Sequence, residues 1–377
     1  MPEAGPLKPA QRRGPIFIVG AQGSGSTLLR LILDSHDNIA IPQETGFMRA
    51  YNAHQFIPFK WSGRSWAKRM GWSREELDEE LAAFYHRIFS RNVERHGKQR
   101  WGDKTPFHTW HIDAMARVFP DAVFVGIVRH PGGNVASNMS RFGHQFQQAV
   151  SHVNRYNREL ARQAGNYRDR FALVRYEELV LRSEPLLREL LEWLGEPWSD
   201  RVLEHHTVQA ERDGRKTVEG QSRRDDPIDA SRISKWQNTL TERQQRALGH
   251  SLGRLGSFFG YAVDDPLALE PLGRDGSLLI AGATVGDRID RFPDLALRHA
   301  LTRPLNSRFY HPGRLKLQSK QTKPDAPPAP PAPEVEPPVL VRAWRVLPQG
   351  TRLRLHPWLR RGRKHVRLTR RRLRRSG

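Results

Sequence analysis

A glycine-rich loop between a short apolar run and a helical pattern constrains the fold of this 377-residue chain more than any other feature. Residues 16–19 are apolar and end at Gly20, and leucines with helical spacing begin at Leu28. Strand, glycine loop and helix in this order are typical of a phosphate-binding loop, in which backbone N–H groups converge on an anion at the helix N-terminus. The sequence therefore predicts an anion-binding turn near residues 20–27.

Two further apolar runs, at residues 122–128 and 171–174, are continuous rather than alternating, and helical patterns separate them. Continuous apolar strands are typical of a parallel sheet that is covered on both faces. We therefore predict an α/β fold, with a P-loop-like parallel β-sheet flanked by helices on both faces. The long helical region between the first two runs, with a Ser-x-x-Glu capping box at residues 73–76, predicts a helical cap insertion over the site.

The rest of the chain divides by composition. We expect a flexible N-terminus at residues 1–14, one catalytic domain at 15–262 and an extension of unassigned structure at 263–323. Within the domain, polar residues 207–230 predict a loop, and a helical pattern runs from residue 241 to about 259. A proline-rich linker at 324–338 and a basic tail at 339–377 complete the chain.

The net charge of +22 is concentrated in the tail, which holds thirteen arginines, one lysine and no acidic residue. Overall charge therefore says little about the domain, and no specific nucleic acid is expected as a partner. Tryptophans and leucines among the arginines fit an anionic membrane surface. No apolar segment is long enough to span a membrane, so we expect a cytoplasmic protein, with the tail as a possible peripheral membrane contact.

The chain contains no cysteine, which excludes disulfides, thiolate nucleophiles and cysteine-bound metals. The histidines at 108, 111, 205 and 206 lack a third ligand at a recognisable spacing, so we favour hydrogen-bonded histidines over a metal site. Three tryptophans lie in the cap region, at Trp61, Trp66 and Trp72. They either line a groove for a substrate that accepts a transferred group, or pack in the core or the cap.

The candidate residues for binding a phosphate-bearing ligand in this loop are Gly23, Ser24, Gly25, Ser26 and Thr27. Ser26 stands where a Walker loop has the lysine that reaches β- and γ-phosphates, so a single 5′-phosphate fits better than a triphosphate. A tight structural turn is the alternative interpretation.

A second anion-binding pair follows the second apolar run. Arg129 and Ser137 lie eight residues apart, and a guanidinium with a hydroxyl is suited to hold a phosphate. Taken alone, this pair is equally well explained as a surface arginine and an unrelated serine on a helix. Together, the loop and the pair indicate a ligand with two separated phosphate-like groups.

At these residues the chain resembles sulfotransferases that use 3′-phosphoadenosine 5′-phosphosulfate (PAPS), most closely the branch with tyrosylprotein sulfotransferases and related bacterial enzymes. The resemblance spans about residues 15–262 and includes loop residues 22–28, the pair Arg129 and Ser137, and three ordered stretches at 33–45, 103–107 and 175–179. It implies that Glu44 is the general base, that Lys104 is a catalytic cation, and that Tyr176 contacts the donor.

The resemblance also implies donor contacts in the late segment 231–236, with Lys235, and at Ser222, and Arg141 matches a family arginine. Gly23 departs from the family pattern, because the related enzymes usually place arginine or lysine there, beside the sulfuryl group in flight. Our hypothesis is that Lys104 partly replaces this missing charge.

The reaction implied by the resemblance is direct in-line transfer of the sulfuryl group from PAPS, without a metal, to an acceptor hydroxyl, which releases adenosine 3′,5′-bisphosphate. Carbohydrates, lipids, peptides and small molecules all offer such a hydroxyl. Three alternatives stay open from the residues alone: a P-loop kinase that needs magnesium, a donor-binding protein with impaired catalysis, and a polyanion-binding protein that acts through its tail.

Overall fold

The structure, a computed structural model, describes residues 13–60, 66–213, 227–262, 268–272 and 276–297. Its centre is a six-stranded sheet in the order β2-β3-β1-β4-β5-β6. The strands are β1 Ile16–Gly20, β2 Ile39–Ala40, β3 Arg100–Lys104, β4 Val123–Val128, β5 Phe171–Arg175 and β6 Leu279–Ala281. The first five strands pair in parallel, and β6 pairs antiparallel with β5. The predicted α/β fold with a mostly parallel sheet is confirmed.

Fourteen α-helices accompany the sheet in the part of the chain that the structure describes. They are α1 Ser26–Ser35, α2 Met48–Lys60, α3 Trp66–Arg69, α4 Arg74–Arg95, α5 Ile112–Val118, α6 Pro131–Phe142, α7 Phe146–Asn166, α8 Tyr176–Leu181, α9 Ser183–Leu194, α10 His205–Asp213, α11 Lys235–Thr239, α12 Glu242–Phe258, α13 Ala283–Arg291 and α14 Pro293–Leu297. Short 3₁₀ turns lie at Pro106–His111, Arg168–Arg170, Asp200–Val202 and Ala230–Arg232.

Both faces of the sheet are buried, as the continuous apolar runs predicted. In β1, Phe17 and Val19 join an apolar cluster with α7 and α12, whereas Ile16 and Ile18 join a second cluster with α1 and α9. Successive side chains of a strand point to opposite faces, so an all-apolar strand is stable only between two layers of helices.

Strand β3 lacks the apolar signal of the other strands and was not predicted. The sequence of β3 is Arg-Trp-Gly-Asp-Lys, yet all five of its residues are buried between β1 and β2. Arg100 is satisfied there by the carbonyls of Gly14 and Leu194 and by the Glu196 carboxylate. Polar residues therefore occupy a central strand because each finds a partner, which periodicity cannot reveal.

The predicted loop at residues 207–230 is wrong in its first part, because α10 extends to Asp213. Its buried residues include Val208 and Gln209, and the Gln209 amide donates to the Asp34 carboxylate at 3.2 Å, which ties α10 to α1. Residues 227–229 are irregular, and residues 214–226, with Ser222, lie outside the described residues.

Other boundaries follow the sequence signals closely. The Ser73–Glu76 capping box is present, and α12 begins after its N-cap Thr241. Helix α6 begins at Pro131, because proline suits the first helical turn.

The sheet extends beyond the domain boundary predicted at residue 262, because β6 lies in the extension. The extension also contains α13 and α14, whose residues Val285 and Leu295 are buried in the larger apolar cluster. The linker at 324–338, the basic tail and Trp61 lie outside the described residues. Among the described residues, no helix combines the length and the apolar character needed to cross a membrane.

Two buried histidines generate a prediction about stability and pH. Burial lowers the pKa of His205 to about 4 and the pKa of His111 to about 3. An unfolded histidine titrates near ~6.5, so between these values the unfolded chain binds protons that the folded chain does not. The free energy of unfolding should therefore fall as pH drops from about 7 to 5, by up to about 1.4 kcal/mol per pH unit for each histidine.

Urea unfolding at pH 7, 6 and 5 measures this slope. His205→Gln should reduce the slope, whereas His250→Gln, an exposed position on α12, is the matched control and should leave it unchanged. Equal slopes in the wild type and in His205→Gln would contradict the assignment.

Candidate donor-binding and catalytic site

The glycine loop reverses the chain between β1 and α1 through two left-handed residues. Gly23 has a φ of 80°, and Gly25, the N-cap of α1, has a φ of 99°. A Cβ atom on Gly25 would lie 2.4 Å from Cδ2 of Tyr176, and one on Gly23 would lie 2.8 Å from Oγ of Ser137. Both positions therefore require glycine, for conformation and for space.

A pocket opens in front of this loop. Of the predicted donor-binding residues, Gly23, Gly25, Ser26, Thr27, Arg129 and Tyr176 line it, together with Arg141. The pocket is also lined by His205, Ile228 and Asp229, which were not predicted as donor contacts, and by Arg232 of the predicted segment 231–236. The glycine loop thus opens onto a pocket that Arg129, Arg141 and Arg232 also line.

Three guanidinium groups share this pocket. Burial lowers the pKa of Arg141, and the positive charges of Arg129 and Arg232 lower it further. Mutual repulsion of this kind is relieved when an anion binds between the arginines. The charge distribution therefore fits a ligand with phosphate-like groups.

Arg129 links three parts of the site. Its guanidinium lies 4.4 Å from the centre of the Tyr176 ring, and it donates to the carbonyls of Gly23 at 3.4 Å and Arg232 at 2.7 Å. Ser137 reaches the same loop through its contact with Gly23. The predicted pair Arg129 and Ser137 is thus brought to the loop by β4 and α6.

Arg232 reaches the pocket because the following helix is anchored on α6. Trp236 is buried and stacks on His130 with ring centres 4.8 Å apart. Gly132 leaves room for this indole, since a Cβ there would lie 2.5 Å from it. Lys235, predicted as a donor contact, is exposed at the start of α11 and does not line the pocket. Arg232, three residues earlier, lies there instead.

Lys104 and Glu44 form an ion pair beside the loop. The lysine is buried at the end of β3, whereas the Glu44 side chain is 52% exposed on the loop before α2. Lys104 Nζ also donates to Thr27 Oγ1 at 3.2 Å. Burial lowers the pKa of Lys104, and Glu44 opposes this shift. The two predicted catalytic residues therefore meet, with the lysine between the carboxylate and the anion-binding loop.

A buried polar network, which the sequence did not reveal, holds the Glu44 loop. Asp103 Oδ2 accepts from the Thr45 hydroxyl at 2.6 Å, and Asp103 Oδ1 lies 2.8 Å from His108 Nδ1. His108 Nε2 accepts from the Met48 N–H at 3.4 Å, so the ring proton lies on Nδ1 and faces the aspartate. His108 is therefore a hydrogen-bonded histidine that positions the loop.

The residues of segment 175–179 have different roles. Arg175 is buried, pairs with Glu178 at 2.8 Å and donates to the carbonyls of Gly260 and Glu270. Only Tyr176 faces the pocket. Most of this motif therefore fastens β5 to the chain beyond α12.

Two other expectations differ from the structure. Ser24 is fully buried and does not line the pocket. Trp66 and Trp72 are 44% and 37% exposed and lie neither in the pocket nor in the core.

An aromatic and basic face lies close to Glu44. Trp110 packs against Tyr156 with ring centres 4.9 Å apart, and Arg155 lies 5.3 Å from the Trp110 ring. Burial raises the pKa of Tyr156, and its phenol also experiences the charges of Arg155, Arg49 and Glu44. This face is suited to an aromatic group with negative charge nearby.

The fold and the site define a P-loop-like α/β protein with a glycine loop at the start of α1 and a lysine–carboxylate pair beside it. The model of the sulfotransferase family matches residues 15–200. This part of the chain is therefore similar to sulfotransferases.

Curated relatives share the greater part of this chain. It is 29% identical over 280 residues to protein-tyrosine sulfotransferase 1 of Danio rerio, a match that covers 68% of this chain and 77% of the relative. It is 28% identical over 274 residues to the protein-tyrosine sulfotransferase of Drosophila melanogaster, covering 68% of this chain and 52% of the relative. The chain thus spans only part of the length of these relatives.

Solved structures with similar folds are also sulfotransferases by name. The sulfotransferase domain of the Synechococcus PCC 7002 olefin synthase is 20% identical, with a TM-score of 0.49, and the match covers 66% of this chain and 96% of that one. A sulfotransferase from Alicyclobacillus acidocaldarius is 18% identical, with a TM-score of 0.37, and the match covers 65% of this chain and 95% of that one.

The loop geometry predicts that Gly23→Ala is destabilising. A left-handed backbone costs an alanine about 1–2 kcal/mol, and the contact with Ser137 should add about 1 kcal/mol or more. Gly143→Ala is the matched control, because Gly143 has a φ of 67° but no atom within 4 Å of its Cβ position. Urea unfolding should show the larger loss for Gly23→Ala, and Ser137→Ala in that background should recover part of it. Equal losses at the two glycines would contradict the close approach.

Proposed function

We propose that this chain is an enzyme that transfers a sulfuryl group from PAPS to an acceptor hydroxyl. The observation that carries the proposal is the position of Lys104, whose ammonium bridges Thr27 of the anion-binding loop and the Glu44 carboxylate. A donor phosphate on the loop and an acceptor hydroxyl at Glu44 would both adjoin this lysine. The match of residues 15–200 to the model of the sulfotransferase family supports the same reaction.

The pocket fits the two phosphate-bearing ends of such a donor. Loop residues Gly23, Gly25, Ser26 and Thr27 would hold the 5′-phosphosulfate through backbone N–H groups at the start of α1. Arg129 and Ser137 would hold the 3′-phosphate. We add Arg141 and Arg232 as cations that balance the donor's charge, because both line the pocket.

In the proposed reaction, Glu44 accepts the proton of the acceptor hydroxyl as its oxygen forms a bond to sulfur. The bond between sulfur and the bridging oxygen of the 5′-phosphate breaks in line with this attack, and adenosine 3′,5′-bisphosphate leaves. Lys104 stabilises the charge that develops on the bridging oxygen. Breaking its ion pair with Glu44 would free the carboxylate to act as a base.

We propose a tyrosine side chain as the acceptor. The relatives in zebrafish and fly are named protein-tyrosine sulfotransferases. In this chain, the half-buried Trp110 packs on the buried Tyr156 near Glu44, while Arg49 and Arg155 supply positive charge. A phenol flanked by acidic residues would suit this face better than a neutral sugar.

Calorimetric titration with adenosine 3′,5′-bisphosphate tests the donor site. We expect one-to-one binding by the full chain, and a loss of at least about tenfold in affinity for Arg129→Ala, because a charged hydrogen bond to phosphate is removed. Arg246→Ala, an exposed arginine on α12, is the matched control for net charge. Tighter binding of ATP with magnesium would contradict the proposal and favour a kinase.

Turnover with PAPS and an acidic tyrosine peptide tests the chemistry. Glu44→Gln should lower kcat by about 10²–10⁴-fold, since the general base is lost while its shape is kept. Affinity for adenosine 3′,5′-bisphosphate should stay unchanged. Glu242→Gln, exposed on α12, is the control, and a phenylalanine peptide should accept no sulfate.

Lys104→Ala should also lose turnover, because the proposed charge on the bridging oxygen would lack a cation. Wild-type turnover of Lys104→Ala would show that this lysine does not replace the missing charge at position 23. Donor binding without transfer to any hydroxyl would instead indicate a donor-binding protein without catalysis.

A further inference from the structure

A buried carboxylate lies next to Tyr176, which lines the pocket. Glu177 is in the first turn of α8, and its side chain is fully buried. Burial raises the pKa of Glu177, and the positive charge of Arg129 opposes this shift. A buried carboxylate is costly unless hydrogen bonds and a nearby cation compensate for the lost water. Glu177 therefore needs hydrogen-bond donors, and it is electrostatically coupled to Arg129.

This carboxylate and one tyrosine hydroxyl contact both peptide groups that flank Arg129. Glu177 Oε1 accepts from the His130 N–H at 3.1 Å. Glu177 Oε2 accepts from the Tyr261 hydroxyl at 2.7 Å, and the same hydroxyl lies 3.3 Å from the Val128 carbonyl oxygen. The Val128 carbonyl precedes Arg129, and the His130 N–H follows it. The Glu177–Tyr261 pair therefore fixes the backbone of Arg129 on both sides.

Tyr261 is itself held by several contacts after the end of α12. Its side chain is buried, and burial raises the pKa of its phenol, so the hydroxyl remains a donor. Arg175 donates to the Gly260 carbonyl at 3.0 Å, and Tyr261 forms an isolated β-bridge with Leu269. Tyr261 is not among the described residues that line the pocket. Its hydroxyl therefore acts on Arg129 from outside the pocket.

His130 links this pair to the segment that carries Arg232. The His130 ring packs edge-on against the Tyr261 ring, with ring centres 5.7 Å apart. Its Nδ1 accepts from the Gly132 N–H at 3.2 Å, so its Nε2 carries the proton and donates to the Ala262 carbonyl at 2.9 Å. Because Trp236 stacks on this same ring, the segment that ends at Tyr261 and Ala262 supports both arginines of the pocket.

We propose that Tyr261 and Glu177 are positioning residues that aim Arg129 at the 3′-phosphate of the donor. The inference rests on the proposed function, in which Arg129 holds that phosphate. Without the Tyr261 hydroxyl, the backbone before Arg129 loses a contact and the Glu177 carboxylate loses a donor. A buried carboxylate that lacks a donor attracts the nearby guanidinium more strongly, which draws it away from a phosphate. Tyr261 thus sets the preference of the site for a nucleotide with a 3′-phosphate.

Calorimetric titration of the full chain with adenosine 3′,5′-bisphosphate and with adenosine 5′-phosphate tests the proposal, because the two nucleotides differ only in the 3′-phosphate. The ratio of the two affinities measures the contribution of that phosphate. Tyr261→Phe should lower this ratio about fivefold to tenfold, through weaker binding of the bisphosphate alone. In an Arg129→Ala background, the same substitution should leave the ratio unchanged, since the guanidinium that it positions is gone.

Glu177→Asp is a second variant, which keeps the negative charge. The shorter carboxylate cannot reach both the His130 N–H and the Tyr261 hydroxyl, so the ratio should fall here too. Thermal melts establish that each variant is folded, and a loss of packing alone would weaken the binding of both nucleotides equally.

Tyr51→Phe is the matched control. The Tyr51 hydroxyl is also buried and donates to a buried carboxylate, that of Asp78, at 2.8 Å, but its other contact is with Arg117 instead of Arg129. Tyr51→Phe should therefore lower the melting temperature, as Tyr261→Phe does, and leave the ratio of affinities unchanged.

The Arg129→Ala variant separates two kinds of failure. If Arg129→Ala keeps the wild-type ratio, the 3′-phosphate site of the proposed function is wrong, and this inference falls with it. If Arg129→Ala lowers the ratio while Tyr261→Phe and Glu177→Asp both keep it, the donor site stands and only the positioning role is overturned.

Discussion

The pairing of β1 with β3 on one side and β4 on the other is the constraint on which the site depends. Parallel strands bring their carboxyl ends to one edge, so the glycine loop after β1, Lys104 at the end of β3 and Arg129 after β4 meet there. Tyr176, after β5, completes the edge. Ligands of open α/β sheets bind at this edge, because the helix N-termini and loops converge on it. Distant segments of the chain are thus assembled by backbone hydrogen bonds.

This constraint explains which features could be predicted from the sequence. Strands β1, β4 and β5 are apolar on both faces, so the pattern predicted them. The glycine loop after β1 and Arg129 after β4 were predicted from the residues themselves, whereas Tyr176 after β5 was predicted only by resemblance. Strand β3 gave no such signal, because its polar residues are satisfied by partners far away in the sequence. Lys104 could be identified only by resemblance, since nothing local distinguishes it from a surface lysine.

Contacts between distant segments account for the remaining differences. Arg232 lines the pocket because Trp236 stacks on His130, about a hundred residues away, and no local pattern encodes that contact. The network of Asp103, His108 and Thr45 is hidden in the same way, although its members belong to stretches that the resemblance had marked. Burial makes such polar groups costly unless all are paired, so the network fixes the Glu44 loop in one position.

Gly23 shows how packing and charge are coupled at the loop. A side chain there would collide with Ser137, so the loop can approach α6 this closely only because position 23 is glycine. The close approach brings Ser137 and Arg129 to the loop, but it leaves no room for the arginine or lysine of related enzymes. In the proposed reaction, positive charge would then come from elsewhere on the sheet edge. Lys104 is placed to supply it because Thr27, four residues beyond Gly23, already accepts a hydrogen bond from its ammonium.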